Sequence, residues 1–365
     1  MKKLIYLLCT LILLSIPVIP QKATADIYGK VIFPDGSAIS GAAVELTGDV
    51  IGKKNSVTSE EGNFRFLFLP PGNYELRFEL EGFQTIIRKN IRLYLGKNIT
   101  LSIRMETATI KEEIVITRKA VAVDTRRTTA SVNISKEMIQ SLPTARNPWT
   151  VLNLIPGVMV DREDVGGNES GQQSTFYGHG SQGAVWTIDG GNISDPSSIG
   201  AAPAYLNMNN YEELQVTLGS NDMDVPGGGI QLNFVTKRAG NNYSGDFHLY
   251  VEDKAWEMEQ ELPEYYQDQG WVTPGIERLY QYGLSFGGPI IKDKLWWYGA
   301  YGIQDIHSRT LVGDEDASWL LSGYLKLTLQ SGNTSGDFLL SHDAKKKWGR
   351  TALSRAQQDN GTLWD

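Results

Sequence analysis

Apolar and polar residues alternate along this chain in three successive rhythms, and each predicts a different kind of element. In residues 26–105 apolar positions recur every second residue over short stretches, at 27–33, 43–46, 63–67, 74–80, 86–93 and 98–105, with Pro34-Asp35-Gly36 and Pro70-Pro71-Gly72-Asn73 as turns. β-Branched and aromatic residues at this spacing predict a small antiparallel sandwich. Residues 106–127 then hold a short β-forming run, Glu113, Ile114, Val115, Ile116 and Thr117, followed by Arg118, Lys119 and a polar linker. An extended strand with unpaired backbone groups suits addition to a partner's sheet edge; pairing with its own domain is the plainer alternative.

Residues 128–238 mix helical and strand periods. Ser135 can cap a helix over 136–142, and Asn147 before Pro148 predicts a second over 149–154, ended by Pro156-Gly157. Strands follow at 158–160, 184–188, 214–218 and 230–235, with a polar glycine-rich loop at 161–175 and a tight Asp189-Gly190-Gly191 turn.

From Tyr243 the alternation lengthens. Tyr243, Gly245, Phe247, Leu249 and Val251 alternate with Ser244, Asp246, His248, Tyr250 and Glu252, and the same pattern recurs with Tyr280, Tyr282, Leu284 and Phe286 and with Trp319, Leu321, Leu325 and Leu327. Such strands present one face to lipid and the other to water. Strands near 243–252, 278–288, 294–306, 318–329 and 334–343 are joined in turn by a long loop 253–277, a short turn 289–293, a medium loop 307–317 and a short turn 330–333. Alternation of long and short connections is the habit of outer-membrane barrels, with the short turns on the periplasmic side. Five strands cannot close, and an open sheet would leave lipid-facing backbone unpaired, so the chain is expected to be the front part of a longer protein.

The beginning of the chain adds a compartment. Met1-Lys2-Lys3, an apolar run over 4–20 and Ala23-Thr24-Ala25 predict a secretory signal peptide at 1–25. Pro17, Pro20 and the shortness of the run disfavour a membrane anchor. Cys9, the single cysteine, falls inside it, so the mature chain is expected to need no disulfide and no thiol-bound metal. A net charge of −8 with no Lys/Arg-rich run argues against a nucleic-acid partner. A mean hydropathy of −0.26 leaves room for a β-barrel, whose apolar face hides in alternation.

The motifs point to a family. Gly29-Lys30-Val31, Gly41-Ala42-Ala43-Val44, Thr58 with Glu61-Gly62-Asn63-Phe64, Leu69-Pro70-Pro71-Gly72-Asn73-Tyr74 and Gly82-Phe83 resemble the carboxypeptidase regulatory-like domain. Leu142-Pro143, Leu154-Ile155-Pro156-Gly157-Val158, Gly178-His179-Gly180, Ile188-Asp189-Gly190 and Asn233-Phe234-Val235-Thr236-Lys237 resemble the plug domain of TonB-dependent receptors. In that setting the run at 113–117 resembles a TonB box. Gly287-Gly288-Pro289, Lys292-Asp293-Lys294 and Trp296-Trp297 resemble the second hairpin of the receptors that carry the regulatory-like domain in front. The resemblance implies a mainly β fold: a transthyretin-like (prealbumin-like) sandwich at 26–105, a linker with the box at 106–127, a mixed α/β plug at 128–238, and the first strands of a transmembrane antiparallel barrel at 239–365. The family's barrels have about twenty-two strands. It also implies an outer-membrane receptor with its N-terminal domain in the periplasm, energised by a TonB-type protein of the inner membrane, embedded in outer-membrane lipid, and taking up a siderophore, cobalamin, oligosaccharide or peptide. No cofactor is implied.

Candidate chemistry changes this picture little. Ser181 in His179-Gly180-Ser181-Gln182-Gly183 lacks the first glycine and the following helix of a nucleophile elbow. Gly227-Gly228-Gly229 precedes a strand, which fails the phosphate-loop context and suits close backbone approach instead. His179, His248, His307 and His342 have no zinc-type spacing, and Asp161, Glu163 and Asp164 lack the order of a calcium loop. Trp256, Tyr265, Tyr266 and Trp271, among acidic residues of the long loop, are the candidate ligand contacts, since aromatic faces bind sugars and peptides. The rival to a transporter is a secreted or surface-attached β-modular binding protein, which would bury its apolar strand faces against each other.

Overall fold

A computed structural model describes residues 24–107, 113–116, 131–141, 147–160, 176–178, 184–194, 205–218, 229–258, 261–332 and 334–348. Residues 1–23 of the expected signal peptide, Thr117, Ser181, the loop 161–175 and Gly227-Gly228 lie outside them.

The first unit has β1 (Ala25–Ile32), β2 (Ala43–Gly48), β3 (Ile51–Val57), β4 (Asn63–Leu69), β5 (Gly72–Glu79), β6 (Thr85–Leu93), β7 (Ile99–Arg104) and β8 (Glu113–Ile116). They form two sheets, β4-β1-β7 and β3-β2-β5-β6-β8. Inward alternate residues such as Ile27, Val31, Leu46, Phe64, Leu76 and Phe78 make the single core between them. The sandwich is not wholly antiparallel: β1–β7 and β6–β8 are parallel pairs. At Gly29 a Cβ would lie 2.3 Å from the Phe64 ring and 2.7 Å from the Leu101 carbonyl oxygen, so glycine is what lets β1 fit between its neighbours. The alternation rule passes over β3 because Lys54, opposite Leu46, occupies a buried position there.

The second unit is a sheet of order β13-β12-β15-β14-β9. Its strands are β9 (Ser131–Ser135), β12 (Ala184–Ile188), β13 (Gly191–Asn192), β14 (Tyr211–Leu218) and β15 (Ile230–Thr236), with β10 (Val158–Val160) and β11 (Phe176–Gly178) as a separate ribbon. The expected helices are present as α1 (Lys136–Ser141) and α2 (Pro148–Leu152). Asn147 Oδ1 accepts the Thr150 N–H at 2.9 Å, satisfying an orphan donor at the start of α2. Trp186 is the centre of the core, stacked on Phe234 at 5.9 Å and tilted against Trp149 at 5.9 Å.

The third unit is an antiparallel meander in chain order: β16 (Ser244–Asp253), β17 (Gly275–Ile291), β18 (Leu295–Arg309), β19 (Glu315–Ser331) and β20 (Thr334–Trp348). β17 to β20 run longer than the sequence reading, because pairing extends into both expected loops and both expected turns. Phe247, Leu249, Leu284, Leu325, Phe338 and Leu340 stand exposed on one face. Ser285, Gln304, Ser318, Ser322, Lys326 and Thr328 are buried on the other. The polar face expected to meet water is instead largely covered by the second unit.

Candidate functional site

The polar wall and the small mixed domain meet through charged and hydroxyl groups. Asp189 sits in the tight turn after β12 with φ +47, and its carboxylate accepts the Thr236 N–H at 3.1 Å and the Lys326 ammonium at 2.7 Å. Lys326, on the inner face of β19, is 1% exposed, so the pair is a buried ion pair. Burial raises the Asp189 carboxyl, but Lys326, Arg238 and Thr236 together outweigh it and hold the group below its ordinary value. A second anchor is Asp246 of β16, which takes Lys136 of α1 and Lys237, each at 2.9 Å. Arg238 pairs with Asp337 of β20, while the Tyr324 hydroxyl accepts the Lys237 N–H at 2.9 Å and donates to the Asn210 carbonyl at 2.8 Å. The arrangement holds a domain against a wall through a set of ion pairs and hydrogen bonds.

The sandwich adds a third body. Arg92, at the end of β6, pairs with Glu212 at 3.0 Å. Three residues on, the Leu95 carbonyl accepts Gln215 Nε2 at 2.8 Å and Asn133 Nδ2 at 3.2 Å, and the Leu95 N–H reaches Glu213 at 3.3 Å. Glu213 is fully buried, and desolvation pushes its carboxyl up to about 7 against the pull of Asn133, the Leu95 N–H and Arg92. The β2–β3 corner meets the end of β19 and the turn after β17: the Gly52 N–H donates to Gln330 Oε1 of β19 at 3.2 Å, and a Cβ on Gly52 would lie 3.0 Å from the carbonyl oxygen of Asp293 in that turn. The sandwich therefore rests at the end of the meander where the strands are joined by short turns.

The sequence-predicted site residues fall in two places. Glu113, Ile114, Val115 and Ile116 form β8, which lies parallel on β6 in the register Thr85↔Glu113, Ile86↔Ile114, Ile87↔Val115 and Arg88↔Ile116. The run is thus paired with the sheet of its own domain in this structure. Val115 is exposed and Ile116 packs against the sandwich core. At the long-loop end, Tyr265, Tyr266 and Trp271 come together, Tyr265 edge-on to Tyr266 at 5.2 Å and Tyr266 stacked on Trp271 at 5.4 Å. Trp256 stands exposed in the turn Lys254–Trp256, outside that cluster. The loop is tied to the next one by the Val272 N–H on the Leu311 carbonyl at 2.8 Å. Among the described residues no group of His, Cys, Asp or Glu is arranged to hold a metal ion.

Sequence reasoning missed Lys326, Asp246, Glu213 and Arg92. A lone lysine in the water-facing row of a strand was the available signal for Lys326; the other three look like ordinary surface charges until their partners are placed.

A sandwich followed by a small mixed domain, itself covering the polar face of a partial antiparallel barrel with an apolar outer face, defines the class: a plugged barrel with an N-terminal appendage. Family comparison agrees. The carboxypeptidase regulatory-like domain matches residues 26–106 and the TonB-dependent receptor plug domain matches residues 124–231. The chain carries these two domains in that order, followed by the partial barrel. The TonB-dependent transporter Oar of Myxococcus xanthus is 26% identical over 322 residues, covering 79% of this chain and 29% of that protein. The chain thus spans less than a third of that relative's length. Among solved structures, the outer membrane transporter YddB from Escherichia coli superposes with a TM-score of 0.49 at 16% identity, over 60% of this chain and 33% of that one. The siderophore receptor PirA from Acinetobacter baumannii gives 0.43 at 17% identity, over 60% and 32%.

Proposed function

We propose that this chain is the N-terminal portion of an outer-membrane TonB-dependent receptor, with the sandwich in the periplasm and the plug gating uptake of a scarce nutrient. The observation that carries this reading is the division of the meander's two faces. Its polar face is taken up by the plug through Asp189–Lys326 and Asp246–Lys237, while Phe247, Leu249, Leu284 and Leu340 are left outward. A secreted β-modular protein would turn that apolar row inward against a second sheet; a barrel in lipid leaves it out. The position of the sandwich at the short-turn end supports a periplasmic location for it, because short turns belong to that side of outer-membrane barrels.

In this reading residues 113–117 are the box through which a TonB-type protein pulls, and the aromatic cluster of Tyr265, Tyr266 and Trp271, with Trp256 nearby in sequence, contributes to ligand capture outside. The work is mechanical, transmitted through backbone hydrogen bonds, with no bond chemistry in the plug. The ligand is a siderophore, cobalamin, oligosaccharide or peptide, to be identified by growth of a deletion strain on a panel of scarce nutrients.

The test is Ile114→Pro in the full-length protein. Proline removes a backbone donor and cannot extend a ladder. Uptake is expected to cease while ligand binding at the cell surface and recovery in carbonate-washed outer membranes stay at the unsubstituted level. Unchanged uptake removes the box from residues 113–117.

A further inference from the structure

The run proposed as the box is already paired over residues 113–116. β8 continues the sheet of the regulatory-like domain through four residue pairs with β6. The approach to it is fixed as well, by a bridge between Phe83 and Thr107 and by the Gln84 N–H on the Glu106 carbonyl at 3.0 Å. Ile116 closes the arrangement from the other side by packing on the sandwich core.

β6 itself is two segments. Asn90 has φ +59, and the pairing with β5 shifts register between Leu76↔Arg88 and Tyr74↔Ile91. The segment before the bend carries β8. The segment after it leads to Arg92 and Leu95, which hold Glu212, Glu213 and Gln215 of β14 and Asn133 of β9. Lys97 adds a bond to the Ser131 carbonyl at 3.3 Å. One domain therefore grips β8 with one end of a strand and the plug with the other, and it touches both Ile116 and Ser131, the described residues on either side of 117–130.

From this juxtaposition we propose that the regulatory-like domain is a mask for the box: β8 on β6 is an autoinhibited state, and the energising protein must strip β8 from β6 before force reaches the plug. The inference rests on residues 113–117 being the box. Its physical basis is that a strand has two hydrogen-bonding edges, and β6 holds one of them. A partner that added only to the remaining edge would pull on the sandwich, which is itself docked on the plug, and β9 would stay unloaded. Stripping β8 removes that bypass and puts the pull on 117–130 and then on β9, the edge strand of the plug sheet.

A disulfide lock tests this. Ile87 and Val115 are cross-strand partners, and the chain's single cysteine lies in the expected signal peptide. In the full-length receptor carrying Ile87→Cys and Val115→Cys, binding of the purified periplasmic domain of a TonB-type protein from the same organism is measured under oxidising and reducing conditions. A synthetic peptide of residues 106–127 serves as the unmasked reference. Oxidation is expected to weaken binding to the receptor about tenfold or more, since apparent affinity scales with the released fraction, and reduction to restore it. The variant Ile116→Ser loosens β8 from the core. It is expected to bind more tightly than the unsubstituted receptor, once corrected for the same substitution in the peptide. Equal binding by oxidised and reduced receptor, with the peptide still bound, overturns the mask and leaves the box reading standing. Failure of the disulfide to form overturns the pairing itself. A peptide that does not bind overturns the box reading, and the mask with it.

Discussion

Asp189 meets two demands with one side chain. It closes the turn after β12, accepting from Thr236, and it neutralises Lys326 on the wall 137 positions further along the chain. Removing one member of a buried pair leaves the other charged and unpartnered, at a cost of about 3–5 kcal/mol, whereas replacing both with apolar groups is often close to neutral. Asp189→Ala is therefore expected to lower the urea midpoint for loss of plug structure by an amount of that order, and Asp189→Ala with Lys326→Met to recover most of the loss. A double variant no more stable than the single one would show that the turn, and not the ion pair, carries the energy. The motif Ile188-Asp189-Gly190 made the turn legible in the sequence. Its charge partner was not, because the alternation that places Lys326 on the inner face of β19 says nothing about what covers that face.

At the scale of elements, capping and turn residues were reliable guides because their effect is local. Asn147 caps α2 with the expected geometry, and Asn147→Ala is expected to cost about 1 kcal/mol, read as a lowered denaturant midpoint with an unchanged slope. A loss below a few tenths would mean that packing of Trp149 and Val151 alone fixes this helix. Elements whose inward face carries a polar residue were not legible. β3 buries Lys54, and β9 is a strand only because β14 pairs with it, Val216↔Val132 and Leu214↔Ile134. The run at 113–116 was legible as β-forming; its partner was open, since an extended segment offers the same backbone groups to any free edge. β6 supplies that edge in this structure.

The sandwich and the plug meet at Glu213, which lies in the plug sheet and accepts the Leu95 N–H of the sandwich. Its carboxyl is held at about 7 against an ordinary 4.5, chiefly by desolvation, so the assembled state binds a proton that the separated or unfolded chain releases more readily. The linkage sign follows: the assembly binds more protons than the open state between those two values, so its stability falls as pH rises through that window and levels off above it. Arg92 and Glu212 face the same contact, and Asn133 donates to the Glu213 carboxyl. The urea midpoint for loss of the sandwich–plug contact is expected to be higher at pH 5.5 than at pH 8, a window of about 2.5 pH units around neutrality. Glu213→Gln should flatten that difference. A difference that persists in Glu213→Gln would assign the proton to another group.

By itself the sequence determined everything that depends on short intervals along the chain. The period-two rows of the meander, the caps at Ser135 and Asn147, the turn at Asp189-Gly190 and the order of sandwich, linker, plug and barrel strands all rest on residues within a few positions of one another. Only the tertiary structure decided which faces are covered and which edges are taken. The ion pair of Asp189 with Lys326, the raised carboxyl of Glu213 and the pairing of β8 with β6 depend on desolvation and hydrogen bonding between segments distant in sequence. No local period encodes such contacts, because the same strand pattern fits any partner that presents a matching face.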